Sequence, residues 1–252
     1  MTAPDTSAWD SLALGEPVVE GNRNEVWRGS INGRAVAIRR SHRSEASLDW
    51  ELDLIEYLDA EGFRVPVVVE AIDGRRHVDG LVVQQWIEGR PPQSEEDWAK
   101  VAETLRRVHA ISSEYQPRPG CVAVAELTST SSSVDCEMSA LPLDVAEEVR
   151  AVYAGMAEMP TSVIHGDPMA GNLRLGEDGV VGLLDFDESR VDVAWHDLSN
   201  LGCQVLDDHD HAQALQLSDA WETANAWVAE PEYALTRLSS LRERIKDSGQ
   251  LR

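Results

Sequence analysis

Short apolar runs separated by turn-forming residues occupy the first ninety positions of the chain. Runs of this length are typical of β-strands, and the pair Asn32-Gly33 is typical of a tight hairpin turn. The pattern predicts a strand, a turn and a strand over residues 18–28, and further strands over residues 34–40, 65–72 and 81–87. For residues 2–15, which precede them, we expect a loose arm with a short helix at 8–12.

A helical period governs most of the remaining chain. Leu48, Leu52, Ile55 and Leu58 form one apolar stripe at spacings of four, three and three residues. The predicted helices cover residues 44–61, a segment starting at Ser94 with the capping pair Ser94 and Asp97, and residues 144–159, 194–205, 210–228 and 231–246. Residues 114–141 lose this period and predict a long loop, which either borders a substrate or is disordered.

Strands come first along the chain and helices dominate after a break at Glu88-Gly89-Arg90-Pro91-Pro92. This order predicts an α+β fold with two parts, residues 1–88 and residues 89–252. The sequence contains no internal repeat, and no apolar run approaches the length needed to cross a bilayer.

The charge balance is strongly acidic, with a net charge of −23. Residues 1–90 carry 10 basic and 16 acidic side chains, and residues 91–252 carry 12 and 29. Such a chain repels nucleic acid backbones and attracts a cationic partner, although an acidic surface also serves solubility alone. The three cysteines lack a CxxC spacing, and the N-terminus lacks a signal-peptide pattern, so we expect a cytoplasmic protein without membrane contact. The sequence does not indicate an oligomeric state.

A short segment in the second half carries the chemistry. An apolar run at residues 162–164 leads into His165-Gly166-Asp167, and Asn172 follows five positions after the aspartate. A second apolar run, residues 180–184, ends at Asp185, with a turn signal at residues 176–179 before it. We expect this hairpin to bring Asp185 back beside Asp167 and Asn172.

Two carboxylates and one amide in this order suit phosphoryl transfer. That reaction needs a carboxylate to orient the attacking hydroxyl, and oxygen ligands for magnesium ions on the nucleotide phosphates. The kinase template H-R-D-x-x-x-x-N, followed by an Asp before Phe, has the same spacing from Asp167 to Asn172 and the same Asp185-Phe186 pair. An alternative is a hydrolase metal site with His165, Asp167 and Asp185 as ligands.

The ordered set of motifs resembles the aminoglycoside phosphotransferase family of small-molecule kinases. The resemblance rests on H-G-D-x-x-x-x-N, the D-F-D element at residues 185–187, and Asp197-Leu198-Ser199. It implies a bilobal, protein-kinase-like fold with ATP (or GTP) between a β-rich lobe and a helical lobe. It also implies Asp167 as catalytic base, Asn172 and Asp185 as Mg²⁺ ligands, and Asp197 as a structural residue of the core.

The nucleotide side of the site departs from the kinase pattern. Val36-Ala37-Ile38-Arg39 stands where kinases have V-A-I-K, and no lysine occurs in the first 99 residues. Arg39 is therefore our candidate for the phosphate-binding cation, because arginine binds phosphate bidentately. Glu51 lies on the edge of the apolar stripe of its helix, so we expect it to face inward and pair with Arg39.

The resemblance implies further contacts to the nucleotide and to the acceptor. Asn24 would lie in the loop over the phosphates, and Gln85 and Ile87 would bind adenine through their backbone groups. An acidic group after the metal motif could hold the amines of a cationic substrate: Asp187, Glu188, Asp207 and Asp208. Asp207 and Asp208 also suit the start of a helix, where acidic residues are routine. His109 continues an apolar helical stripe, and we interpret it as a structural histidine.

These features together predict an ATP-dependent O-phosphotransferase acting on a hydroxyl of a small molecule. The acidic charge and the resemblance favour an aminoglycoside or another cationic antibiotic as the acceptor. A housekeeping metabolite such as choline, homoserine or a sugar is the alternative. A non-catalytic, pseudokinase-like protein is a further hypothesis, since the usual lysine and the glycine-rich loop are missing.

Overall fold

The computed structural model describes residues 3–18, 25–129, 133 and 135–247. Within them the chain forms two compact units. One consists of residues 1–92 together with 169–187, and the other of residues 93–168 together with 188–252. The predicted parts, 1–88 and 89–252, differ from these units because the hairpin that follows Asn172 belongs with the N-terminal unit; as functional lobes they stay a prediction.

The first unit is built on a five-stranded antiparallel sheet in the order β1-β2-β3-β5-β4. Its strands are β1 (Leu12–Pro17), β2 (Glu25–Ile31), β3 (Arg34–Arg40), β4 (His77–Val78) and β5 (Leu81–Gln85). The predicted hairpin turn is confirmed: Asn32 and Gly33 have φ values of 50° and 78°, as the tight turn between β2 and β3 requires. The same unit contains helix α1 (Glu45–Ala60) and the hairpin β7 (Leu173–Leu175) and β8 (Val181–Leu183).

The sequence of helix α1 explains both where the helix begins and which face is buried. Ser44 accepts a hydrogen bond from the backbone of Ser47 and so caps the N-terminus. The predicted stripe is buried, with Leu48, Leu52, Ile55 and Leu58 at most 1% exposed. Burial of this stripe places the inward edge of the helix, and with it Glu51, in the interior of the unit.

The second unit is mostly helical. It contains α2 (Glu95–Ile111), α3 (Leu143–Gly155), α4 (Trp195–Leu198), α5 (Asp208–Ala226) and α6 (Pro231–Asp247), with the antiparallel pair β6 (Thr161–Ile164) and β9 (Arg190–Val193). The predicted capping box of α2 is confirmed, because Ser94 and Asp97 bond each other's backbone N–H groups. Taken together, the strands of the first unit and the helices of the second make the fold α+β, as predicted.

Three local predictions are wrong. Residues 8–11 form turns that lead into β1 at Leu12, whereas most of the strand and turn predicted from residue 18 falls on residues 19–24, outside the described residues. Residues 65–72 form no strand: Pro66 has no N–H to donate, and the segment bonds β5 only through Val67 and Val69. The predicted helix 194–205 is shortened to α4, which ends at Leu198, and turns and bends follow at residues 199–203.

Residues 114–141 form a long loop, as predicted, but the described part of this loop is ordered. Its described part packs into the core of the second unit through short 3₁₀ turns at Val124–Thr128 and Met138–Ala140. Val124, Leu127 and Met138 are at most 1% exposed. Turns of three to five residues are too short to show an extended helical period, which is why the pattern did not show this burial. In the described residues, no helix is long and apolar enough to cross a membrane.

Candidate active site

The predicted ion pair between Arg39 and Glu51 is present in the first unit. Arg39 near the end of β3 is 4% exposed, and Glu51 on α1 is fully buried. The Arg39 Nη2 group donates to Glu51 Oε1. A buried carboxylate needs such a partner, because an isolated charge in the protein interior is very unfavourable.

The other nitrogen of the same guanidinium faces the metal motif. Arg39 Nη1 lies 3.8 Å from Asp185 Oδ1 and 3.5 Å from Asp187 Oδ1. Burial by itself would lower the pKa of Arg39, but the negative charges of Glu51, Asp185 and Asp187 raise it above its ordinary value. Arg39 is therefore a permanent cation between one structural carboxylate and the two carboxylates of the D-F-D element.

Asp187 makes a second ionic contact, to Arg43. The Arg43 Nη2 group donates to the Asp187 backbone carbonyl at 2.9 Å and to its Oδ2 at 3.3 Å. Arg43 precedes α1 and could not be predicted from the sequence, because nothing in the local pattern connects it to a residue 144 positions away. The one sequence feature that points to such a partner is Asp187, which stands where kinases have glycine. A half-buried carboxylate requires a cation nearby, and Arg43 is that cation. Asp187 thus contacts two arginines of its own unit, and its substrate role stays a prediction.

The hairpin of β7 and β8 brings the two predicted metal ligands of this unit together. Asn172 directly precedes β7, Asp185 follows β8 by two residues, and the Leu184 N–H donates to the Asn172 carbonyl at 2.9 Å. Asp185 has a φ of 56°, a left-handed conformation that is costly for a residue with a side chain. The Asp185 side chain is 38% exposed. A carboxylate and an amide therefore lie at the same end of the hairpin, and their oxygen atoms are ligands that Mg²⁺ prefers.

The predicted catalytic motif lies in the second unit, in the turn that follows β6. Asp197 is 1% exposed and accepts hydrogen bonds from the His165 N–H at 2.8 Å and the Gly166 N–H at 2.9 Å. It also contacts His109 Nε2 at 2.8 Å, which confirms His109 as a partnered, buried histidine. Burial would raise the pKa of Asp197, but the hydrogen bond and charge of His109 and the His165 contacts lower it, so the carboxylate stays ionised.

Gly166 allows the turn to form in front of Asp167. Its φ is 88°, and a Cβ at this position would lie 2.4 Å from the Glu188 carbonyl oxygen. Only glycine meets both conditions without strain. Asp167 itself is half-buried, with its N–H 3.4 Å from His165 Nδ1, so that its carboxylate starts from a rigid backbone and retains access to solvent.

The predicted adenine contacts lie at the end of β5 and just after it. The Gln85 N–H donates to the Val67 carbonyl and the Trp86 N–H to the Ala35 carbonyl, so these two donors are used within the unit. Ile87 is half-buried and packs against Gly182, where a Cβ would lie 2.8 Å from the Ile87 side chain. The adenine roles of Gln85 and Ile87 stay predictions, and Asn24 lies outside the described residues.

The remaining acidic candidates of the second unit lie on different elements. Glu188 is half-buried beside Gly166. Asp207 is exposed and accepts the Asp210 N–H at 2.9 Å as the N-cap of α5, and Asp208 accepts from Gln204 Nε2 at 2.8 Å. These contacts are the ones that the helix-start interpretation predicts for Asp207. Substrate roles for Glu188, Asp207 and Asp208 stay predictions.

A buried histidine next to Asp197 makes the stability of the second unit depend on pH. His196 is 5% exposed, packs edge-on against Trp221, and has no hydrogen-bond partner for either ring nitrogen within the described part of the chain. Burial and the charges of Arg190 and Arg237 lower its pKa to about 3, although Asp197 opposes this. The unfolded chain therefore binds a proton near pH 6.5 that the folded chain does not, and stability falls as the pH falls below that value.

We expect His196→Leu to remove this pH dependence. Between pH 7.5 and pH 5 the wild-type chain should lose about 2 kcal/mol of unfolding free energy through His196, and the variant should not. Urea denaturation at both pH values measures the difference. His42→Leu, which replaces an exposed histidine, is the control and should lose as much as the wild type. An equal loss in His196→Leu and in the wild type would contradict the prediction.

The chain is similar to known proteins both in sequence and in fold. The family model described as "Phosphotransferase enzyme family" matches residues 15–234. Among solved structures, a microcompartment-associated aminopropanol kinase superposes with a TM-score of 0.68 at 17% identity, covering 97% of this chain and 96% of that one. The choline kinase LicA from Streptococcus pneumoniae gives 0.63 at 14% identity, covering 93% of each chain.

A third structure is an aminoglycoside phosphotransferase, APH(2")-IIia, in complex with GDP and kanamycin. It gives a TM-score of 0.62 at 14% identity, with 95% of this chain and 94% of that chain covered. At these identities the similarity shows a shared fold, that of the protein-kinase-like small-molecule kinases. The family match covers most of the chain and includes the motifs from Arg39 to Asp197. The chain belongs to the phosphotransferase enzyme family.

Proposed function

We propose that this protein transfers the γ-phosphoryl group of ATP or GTP to a hydroxyl of a small cationic molecule. One observation carries the proposal: each unit holds its own part of the kinase set of residues. The first unit carries the cluster of Arg39 and Glu51 with Asp185 and the neighbouring Asn172. The second unit carries Asp167 on a turn that Asp197 holds.

Each residue then has a definite role. Asp167 orients the acceptor hydroxyl and takes its proton as the oxygen attacks the γ-phosphorus and the bond to the nucleoside diphosphate breaks. Arg39 binds phosphate oxygens, for which its permanent charge and planar donor group are suited, and Glu51 holds it in place. Asn172 and Asp185 would hold Mg²⁺, for which their hard oxygen atoms are suited, and the ion would supply positive charge to the phosphates.

The charge distribution supports a cationic acceptor. Residues 91–252 carry 29 acidic and 12 basic side chains, a net charge of −17. A region of one charge sign raises the local concentration of ligands of the opposite sign. Aminopropanol, choline and kanamycin, which are named with the similar structures, all combine hydroxyl groups with a positively charged nitrogen. An aminoglycoside is our first candidate, and a small amino alcohol is the alternative.

A panel of acceptors tests the proposal. Release of ADP or GDP is measured with Mg²⁺ and kanamycin, choline, aminopropanol, homoserine or glucose, and the phosphorylated product is identified by phosphorus NMR. We expect one cationic acceptor to raise nucleotide turnover at least about tenfold over the background, and glucose to leave it unchanged, as charge complementarity predicts. EDTA should abolish turnover. If glucose alone stimulated nucleotide turnover, the acceptor would not be cationic and that part of the proposal would be overturned. Hydrolysis of a substrate in the absence of nucleotide would favour the hydrolase alternative.

A further inference from the structure

A second buried group holds the catalytic turn, from the side opposite to Asp197. The Ser189 hydroxyl donates to the His165 carbonyl oxygen at 2.9 Å, and Ser189 is fully buried. Because Asp197 accepts the Gly166 N–H, one peptide group, the one that joins His165 to Gly166, is bonded at both its C=O and its N–H. A peptide group is planar, so one that is held at both edges cannot rotate about the chain direction.

Ser189 is itself fixed by a buried arginine. Arg118 is 2% exposed, and its Nη1 group donates to the Ser189 carbonyl at 2.9 Å. It comes from the predicted long loop at residues 114–141. A guanidinium buried to this extent is in place before any ligand arrives, so the Ser189 backbone has one defined position.

Close packing links this position to the glycine before Asp167. The Glu188 carbonyl oxygen would lie 2.4 Å from a Cβ on Gly166, so the two backbones touch. Gly166 has a φ of 88°, and the direction in which the chain leaves toward Asp167 depends on the peptide plane in front of it. A change in the hydrogen bond of Ser189 therefore acts on Asp167 through one residue of backbone.

We propose that Ser189, supported by Arg118, is a positioning residue that sets the direction of the Asp167 carboxylate. The inference rests on the proposed function, since it assigns Ser189 to the same reaction. A displacement of about 1 Å at a reacting group can lower a rate by up to about a hundredfold. The effect of losing Ser189 should therefore be on kcat, because neither Ser189 nor Arg118 is among the groups assigned to the nucleotide.

Ser189→Ala tests the proposal with two measurements, residue-resolved amide hydrogen exchange and initial-rate kinetics. The control is Thr223→Val, which also removes a fully buried hydroxyl that donates to a backbone carbonyl, at 2.7 Å, on α5. We expect Ser189→Ala to speed exchange at the His165 and Gly166 amides by about five- to tenfold, the effect of one hydrogen bond. We expect kcat to fall about tenfold, with KM for the nucleotide within twofold of wild type.

Thr223→Val should lower overall stability by a similar amount and leave both measurements unchanged. If Ser189→Ala behaves like Thr223→Val in exchange and in kcat, the positioning role is overturned. If Ser189→Ala does not fold, Ser189→Cys, which keeps the volume but has a weak donor, replaces it in the same comparison. If the wild-type protein phosphorylates no acceptor, the proposed function fails, whereas the exchange result still decides whether Ser189 holds the turn.

Discussion

Replacing Asp167 by Asn should lower turnover of the acceptor by about 10²–10⁴-fold, the contribution usual for a general base. The amide has the same size as the carboxylate but cannot take a proton from the hydroxyl. The hydrogen bonds that shape the turn come from the backbone of His165 and Gly166, so they remain in the variant. Nucleotide affinity should also remain, because our assignment of the phosphate and metal contacts does not include Asp167.

Initial-rate kinetics with the best acceptor and a calorimetric titration of the nucleotide separate these two effects. Asp59→Asn makes the same change at an exposed position near the end of α1 and should keep wild-type turnover. If Asp167→Asn kept more than about a third of the wild-type kcat, Asp167 would not be the general base, since such a loss is far below what removing a base costs. If Asp167→Asn had the kcat of the wild type but bound the nucleotide more weakly, Asp167 would be reassigned as a metal ligand.

The sequence predicted the parts of the site that depend on a regular pattern. Glu51 lies on the edge of an apolar helical stripe and so is expected to face inward, and the kinase template provides Arg39 as its partner. The predicted pair is present because a buried charge must be paired with an opposite charge. In the same way, the turn pair Asn32-Gly33 determined one hairpin, and the spacing of Ser94 and Asp97 determined a helix start.

Contacts between distant segments could not be predicted in this way. Arg43 and Asp187 are separated by 144 positions, and Arg118 and Ser189 by 71. None of these four residues interrupts a local pattern, apart from Asp187 at a position where kinases have glycine. Their pairing depends on how the chain folds back, which periodicity does not describe. The same limit explains why the burial of Val124, Leu127 and Met138 was missed.

The ion pair of Arg39 and Glu51 should matter more for stability than any exposed pair in the protein. Glu51→Ala leaves a guanidinium that is 4% exposed without its main partner. Breaking a buried pair in this way typically costs about 3–5 kcal/mol. We expect Glu51→Ala to lower the free energy of unfolding by about 3 kcal/mol, the lower end of that range. The reason is that Asp185 and Asp187 remain as partners, at 3.8 Å and 3.5 Å from Arg39 Nη1.

Urea denaturation measures this loss, and Glu96→Ala is its control. Glu96 pairs with Lys100 one helical turn away at 2.8 Å and is 80% exposed, so its removal should cost less than about 0.5 kcal/mol. The double variant Arg39→Met, Glu51→Leu removes both charges and should recover most of the stability, because apolar side chains can replace a buried ion pair. It should nevertheless bind nucleotide much more weakly, since its phosphate cation is gone. A stable double variant with wild-type nucleotide affinity would show that Arg39 is structural and that another group binds the phosphates.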